Sequence, residues 1–330
     1  MNTSMRGRTV LITGSTGGIG RETARGLAGL GARVILVGRD AGRAEAAARE
    51  LRRDTGNDAV AALTADLTRL RDVRRLAEEV AGRCDALHVL VNNAGANTAR
   101  RQLTEDGVET AFAVNVLVPF TLTHLLLPLL RRGARRGDEG GRGGGAEGGR
   151  GGGGAEGGAG GGEGSGGAAS RVVNITGGIP RGPIDPSNLQ GERRYLGWTF
   201  SQYNHSKVAL MAMSRRLAER LAGSGVTVNV AYPGHGHTPG NRAIPTAAFP
   251  FVYRPLAPLV RLLAPVLLAD LSRPARSSVY LASSPEVEGV TGTYVDTNCR
   301  RAAWPAGALR PGDQEAVWEL CARLSGLPAA

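Results

Sequence analysis

The sequence predicts an α/β fold: a Rossmann-type doubly wound parallel sheet with helices on both faces. Three observations carry it. Short β-branched apolar runs without polar alternation recur through the first half of the chain, as in strands buried on both faces. Helix-forming stretches separate them, the rhythm of parallel βαβ units. A glycine-rich turn stands between the first run and the first helix, where such sheets hold dinucleotides.

Residues 9–13 (TVLIT) form the first strand. The turn Gly14-Ser15-Thr16-Gly17-Gly18-Ile19-Gly20 follows, then a helix with Leu27 and Leu30 on one side. Gly14, Gly18 and Gly20 permit a tight turn, close approach of a pyrophosphate, and a helix N-terminus facing it, and Ser15, Thr16 and Ile19 are expected to bind the cofactor with them. A simple tight turn is the plainer alternative. The spacing then predicts strands at 34–37, 60–63 and 87–91 and helices at 41–54 and 71–81. The second strand ends Val37-Gly38-Arg39. An acidic residue there would bind the ribose hydroxyls of NAD; glycine leaves room and arginine offers a fork matched to a 2′-phosphate. NADP(H) is therefore expected, unless Arg39 is one more surface arginine. Asp66, followed by Leu67, either accepts from an adenine amino group or caps a turn. Asn92-Asn93-Ala94-Gly95 closes the fourth strand with small residues suited to a nearby cofactor.

An apolar helix is predicted over 117–130, with Pro119 and Pro128 near its ends. Residues 137–169 hold 20 glycines in 33 positions. Such a segment buries too little apolar surface to offset its ordering entropy, so a flexible insertion within one domain of 330 residues is expected. It enters the fifth strand, 171–175, at its N-terminal end, whereas sites in such sheets lie at the C-terminal ends. It should project away from the site.

The net charge of +11 would suggest nucleic acid if clustered, but the arginines are spread and aromatic residues make up only 4%. No nucleic-acid partner is expected. Cys84, Cys299 and Cys321 are far apart and odd in number, which points to reduced thiols in the cytoplasm rather than a disulfide frame or a zinc site. The pair His235 and His237 lacks further ligands nearby, and no metal is expected. Residues 1–9 leave no room for a signal peptide, and no apolar run reaches about 18 residues, so no transmembrane span is expected.

Lys207 is the only lysine; the other 39 basic residues are arginine. It stands four residues after Tyr203, one turn along if 200–222 is helical, so both share a face. An ammonium beside a phenol favours the phenolate and brings a proton donor and acceptor toward neutral pH. A solvated surface pair is the alternative from these residues alone. His205, between them, should face outward.

In order along the chain, Thr13-Gly14-x-x-x-Gly18-Ile19-Gly20, Asn92-Asn93-Ala94-Gly95, Asn115, Tyr203-x-x-x-Lys207, and Pro233-Gly234 with Thr238 resemble the short-chain dehydrogenase/reductase family. The resemblance runs from residue 6 to about 326, the insertion apart. Asn188-Leu189-Gln190-Gly191-Glu192, Thr123 to Leu127 and Gly292-Thr293-Tyr294-Val295 are similar to its retinol-dehydrogenase-like branch. The resemblance implies NADP(H), lipophilic alcohol or carbonyl substrates, and a homodimer or homotetramer; the membrane anchor of animal members is not expected. It implies Tyr203 as acid/base, Lys207 as the group that lowers the Tyr203 pKa and holds the nicotinamide ribose, and Asn115 holding a relay water. Asn93, Ala94 and Gly95 would lie near the cofactor, Asp66 near adenine, and Thr238 at the carboxamide. The family's second serine after the fifth strand has no direct counterpart. Counting from Asn174 puts Gly177 there; counting back from Gly182 puts Thr176 there, and Thr176 is taken as its partial replacement. A nucleotide-binding sensor or scaffold with weak turnover is the rival reading.

Residues 247–271 are apolar and proline-rich. Within 235–275 they are expected to cover an apolar substrate; a dimer surface or a shallow membrane contact, with Arg254 and Arg261, are the alternatives. Trp304 and Trp318 are expected in core or interface.

Overall fold

The computed structural model describes residues 4–139, 168–177, 182–236, 238, 245–268 and 270–328. Seven strands form one sheet in the order β3-β2-β1-β4-β5-β6-β7, and every pairing is parallel. They are β1 (Thr9–Thr13), β2 (Arg33–Gly38), β3 (Val60–Thr64), β4 (Val89–Asn92), β5 (Ser170–Ile175), β6 (Val226–Ala231) and β7 (Tyr294–Val295). The helices are α1 (Gly18–Gly29), α2 (Ala41–Thr55), α3 (Leu70–Arg83), α4 (Thr110–Phe112), α5 (Val118–Glu139), α6 (Gln202–Arg220), α7 (Ala257–Leu267), α8 (Ser272–Ser283) and α9 (Pro311–Ser325).

Strands buried on both faces need apolar cover on both. Leu11, Ile35, Leu63, Leu90, Val172 and Val228 pack with α3, α5, α6 and α9. The alternate residues Val10, Val34, Val89 and Val173 pack with α1, α2 and α8. Trp318 is fully buried, its ring meeting Phe120 edge-on at 4.9 Å. The five strands expected from sequence and the helices expected at 41–54 and 71–81 are present with ends shifted by a residue or two, whereas the helix expected over 117–130 runs on to Glu139. Among the elements that carried no mark in the sequence reading are β6 and α8. In β6, polar Thr227 and Asn229 interrupt the apolar run; Asn229 serves the fold by donating to Val290 O and accepting from Thr293 N, which sets the approach to β7. Helix α8 packs on α1 through Thr23 and Ser278.

Residues 140–167, the bulk of the glycine-rich insertion, lie outside the described residues. The chain leaves at Glu139 and returns through Ala168–Ala169 into the N-terminal end of β5, opposite the edge that carries the site. Thr110–Arg135 is long and apolar enough to cross a bilayer by length and composition, with mean hydropathy 1.8. The stretch passes on its average alone, because Asn115, Thr121, Thr123 and His124 interrupt the apolar run. Of its most apolar 18-residue window 78% is buried, packed on α3, β4 and β5 as a core helix.

Candidate active site

The C-terminal edge of β1, β4, β5 and β6 carries four loops and the N-terminal half of α6. After β1, Gly14 (φ 64°) and Gly18 (φ 61°) sit in the left-handed region that favours glycine. A side chain on Gly14 would meet Ala94 Cα at 2.9 Å, and one on Gly20 would meet Asn93 Nδ2 at 2.3 Å. Asn93 explains both contacts: its Nδ2 donates to Thr13 O and Gly14 O, each at 2.9 Å, while the Asn93 and Ala94 amides donate to Thr13 Oγ1 at 3.1 Å. The N-terminus of α1 has no side-chain cap and no acidic residue in its first turn. Free amides and no competing carboxylate fit a dinucleotide pyrophosphate.

Two expectations for this turn need correction. Ser15 is fully buried and its hydroxyl is committed inward, donating to Ile12 O at 2.7 Å and accepting from Val37 N at 3.0 Å. It ties the turn to β2 and has no side-chain group left for a cofactor. The room left by Gly38 is filled from within the protein: a Cβ there would lie 2.2 Å from Thr16 Cγ2. Arg39 itself is exposed at the strand end. The acid beside it, Asp40, caps α2 by accepting from Arg43 N at 2.8 Å. Asp66 Oδ1 accepts from the Thr68 amide and hydroxyl. Burial raises the Asp66 pKa, but those bonds and the charges of Arg39 and Arg69 outweigh it and hold the carboxyl below its ordinary value. Leu67 packs against the core beside it.

α6 brings Tyr203 and Lys207 to one face. Its N-cap, Ser201, accepts from Asn204 N at 3.2 Å. Lys207 is 3% exposed and donates to Ile175 O at 3.0 Å, at the last residue of β5. Its Nζ lies 5.9 Å from the Tyr203 ring centre and 3.5 Å from where a Gly95 Cβ would be. The expected lowering of the Tyr203 pKa is not met. Burial, with Tyr232 nearby, pushes it up to about 12, and burial pushes Lys207 down to about 8. Both shifts share their leading cause: the dense wall penalises the charged form of each.

Gly177 fronts the tyrosine. A Cβ on it would lie 2.9 Å from Tyr203 Oη. Thr176 is 2% exposed, and its Oγ1 is sealed in the wall without a hydrogen-bond partner among the described residues. This corrects the choice of Thr176: the position facing the acid/base is Gly177, because Thr176 turns its hydroxyl into the packed side of the strand end. Asn115 is anchored by the protein itself. It lies in a π-helical turn, Ala113–Leu117. Its Oδ1 accepts from Ala96 N, and its Nδ2 donates to Ala96 O and Ser206 Oγ. Both amide hydrogens are thus committed to the protein, and the side chain braces the loop after β4 against α6. Widened π turns of this kind recur at functional sites, but the flanking valines gave no sequence signal for one.

Pro233 is buried, Gly234 (φ 72°) turns over Thr297, and the Thr238 amide donates to Gly236 O at 3.0 Å, so the loop after β6 closes the same edge. His235 is exposed and His237 lies outside the described residues. His205 corrects another expectation: it is 4% exposed rather than outward-facing. Residues 184–189 fold back over α6, and the Asp185 amide donates to His205 Nε2 at 3.0 Å. Burial drives its pKa down to about 4.

Sequence reasoning missed Glu109. It is fully buried, accepts from Ala111 N and Phe112 N to cap α4, and accepts from Tyr195 Oη at 3.0 Å. Tyr195 also bonds Thr98, and Gln202, beside Tyr203, donates to Leu189 O. One carboxylate thereby joins three segments around the cleft. Glutamate is a poor N-cap by type, so nothing marked it.

A phosphate turn and an enclosed tyrosine–lysine pair on one edge of a parallel sheet define a dinucleotide-dependent oxidoreductase site. The chain belongs to the short-chain dehydrogenase/reductase family. The family model for short chain dehydrogenase matches residues 8–140. Human retinol dehydrogenase 14 is 35% identical, over 98% of this chain and 88% of its own length. Mouse retinol dehydrogenase 12 is 32% identical, over 99% and 89%. These relatives set the chain in the retinol-dehydrogenase-like branch and support an alcohol/carbonyl oxidoreductase. Among solved structures, an uncharacterized Mycobacterium Paratuberculosis protein superposes with TM-score 0.69 at 26% identity, covering 99% of this chain and 97% of its own. RhlG of Pseudomonas aeruginosa, in complex with NADP, gives 0.61 at 29% identity, covering 89% and 95%.

Proposed function

We propose that this chain interconverts a lipophilic alcohol and its aldehyde or ketone with NADP(H), Tyr203 serving as acid/base. The single observation that carries this reading is the Tyr203 hydroxyl, walled by Gly177, on the same edge as the uncapped turn of α1 and beside Lys207. The nicotinamide cofactor, when bound, supplies or accepts the hydride. In reduction Tyr203 gives its proton to the carbonyl oxygen; in oxidation it takes the alcohol proton. A tyrosine held near 12 stays protonated between turnovers, and Lys207 is the one ammonium placed to favour its phenolate as the proton leaves. Gly14, Thr16, Gly18, Ile19 and Gly20 would hold the pyrophosphate, Asp66 and Leu67 the adenine, and Ala94, Gly95, Gly234 and Thr238 the nicotinamide side. For NADP(H), the support is that Arg39 stands exposed at the β2 end while Asp40 is held as a cap. For a lipophilic substrate, the support is the name of the relatives, retinol being a lipophilic alcohol.

The test is NADPH oxidation against a panel of ketones and aldehydes, comparing wild type with Tyr203→Phe. Turnover that the substitution abolishes supports the reading. NADPH binding without turnover on any substrate supports the sensor or scaffold instead, which Gly177 favours: among the described residues at the end of β5 the one facing Tyr203 Oη carries no hydroxyl, and one missing donor of this kind costs about 100-fold or more in rate.

A further inference from the structure

Eight of the ten exposed large apolar side chains among the described residues fall on Trp198 or within 251–263. Here the usual order of a surface helix is reversed. Ala248, Ala257 and Ala264 are buried against the protein (2%, 7% and 9% exposed), while Leu256, Leu259 and Leu262 point outward, Leu262 at 74%. A helix stabilised only by its own domain buries its leucines. Trp198, 69% exposed, is fastened to the same surface, because the Val252 amide donates to Trp198 O and the Phe251 amide to Gly197 O, each at 3.1 Å. Two segments distant in sequence thus present one apolar face, a feature that marks an interaction site.

Charge decides the occupant. The two stretches that form the face, 193–201 and 245–268, hold no Asp or Glu in their sequence, whereas Arg193, Arg194, Arg254 and Arg261 occur in them. Arg254 stacks over the Phe251 ring at 4.4 Å, and Arg194 stands over Phe200 at 4.3 Å beside the Trp198 loop. A second copy docking by two-fold symmetry would set this acid-free, basic face against itself, with like charges opposed. A lipid surface asks for the opposite: leucines and aromatic rings at acyl depth, Trp and Tyr at headgroup level, and arginines for anionic headgroups. We propose that the face formed by Trp198 and residues 251–263 docks on an anionic membrane surface, lying in the interface rather than crossing it. The proposal stands apart from the reaction above and is tested without it.

The full chain is floated with vesicles of phosphatidylcholine alone and of phosphatidylcholine mixed with phosphatidylglycerol, at low and at physiological salt. The bound fraction should be about tenfold higher on the anionic vesicles and should fall as salt rises. The double variant Leu259→Glu/Leu262→Glu, at two exposed positions where substitution leaves the core intact, should keep the wild-type melting temperature and lose binding. Equal binding to both vesicles, binding to neither, or a double variant that still binds overturns the proposal. So does a wild-type dimer that the double variant turns into a monomer without lipid, which would give the face to a second copy.

Discussion

Replacing Gly177 by alanine places a methyl carbon 2.9 Å from Tyr203 Oη. Ordinary contact is about 3.5 Å, so the hydroxyl must retreat by roughly 0.6 Å. A misplacement of about 1 Å at a reacting group costs about 100-fold, so the expected loss in kcat is roughly tenfold, about 1.4 kcal/mol. The same substitution in a Tyr203→Phe background should cost nothing further, because the nearest remaining atom, Cζ, is 4.0 Å away. The coupling is read in two assays: kcat for NADPH oxidation in the single variant, and melting temperatures of all four proteins in a double-mutant cycle. Gly177→Ser adds the same clash but also a donor for the substrate oxygen, and should exceed the alanine variant by about tenfold or more in kcat. An alanine variant with wild-type kcat would refute the reasoning, because the Tyr203 hydroxyl would then have no fixed position beside Gly177.

Two further outcomes follow from charges at the site. His205 is protonated at about 4 when folded and at about 6.5 when unfolded, so the unfolded chain binds the extra proton between those values. Stability should therefore be full above pH 6.5 and decline by about 3 kcal/mol as pH falls to 4; urea titrations across that window should lose this component in His205→Gln, and an unchanged acid slope would count against a buried neutral ring. Arg39→Ala should raise the KM for NADPH by about tenfold to 100-fold, the value of one charge-assisted bond, and leave the KM for NADH unchanged; equal effects on both would deny Arg39 contact with the 2′-phosphate.

The parallel sheet was legible because buried strands declare themselves as runs such as TVLIT and VILV, and the glycine turn is written where backbone geometry requires it. That Tyr203 and Lys207 share one face was legible from their four-residue spacing on a helix. The rest depends on partners that one chain position cannot show. Ser15 reads as a cofactor residue until β2 places Val37 N beside it. His205 reads as solvent-facing until residues 184–189 fold over α6. Thr176 and Gly177 differ by one residue, and since side chains alternate along a strand end, a one-place shift decides which of them meets the tyrosine. Glu109 was unreadable because, beyond its local cap of α4, its partners Tyr195 and Gln202 come from segments far along the chain.

The contact between Asn93 and Gly20 has a consequence for anyone who would transplant this binding site. The asparagine amide holds Thr13 and Gly14 by their carbonyls and fills the space that any side chain on residue 20 would need. The first and fourth strand loops are therefore a single interlocked part. Chimaeras that exchange the glycine loop alone will carry a lock without its key. Residues 13–20 and 92–95 should be exchanged as one cassette.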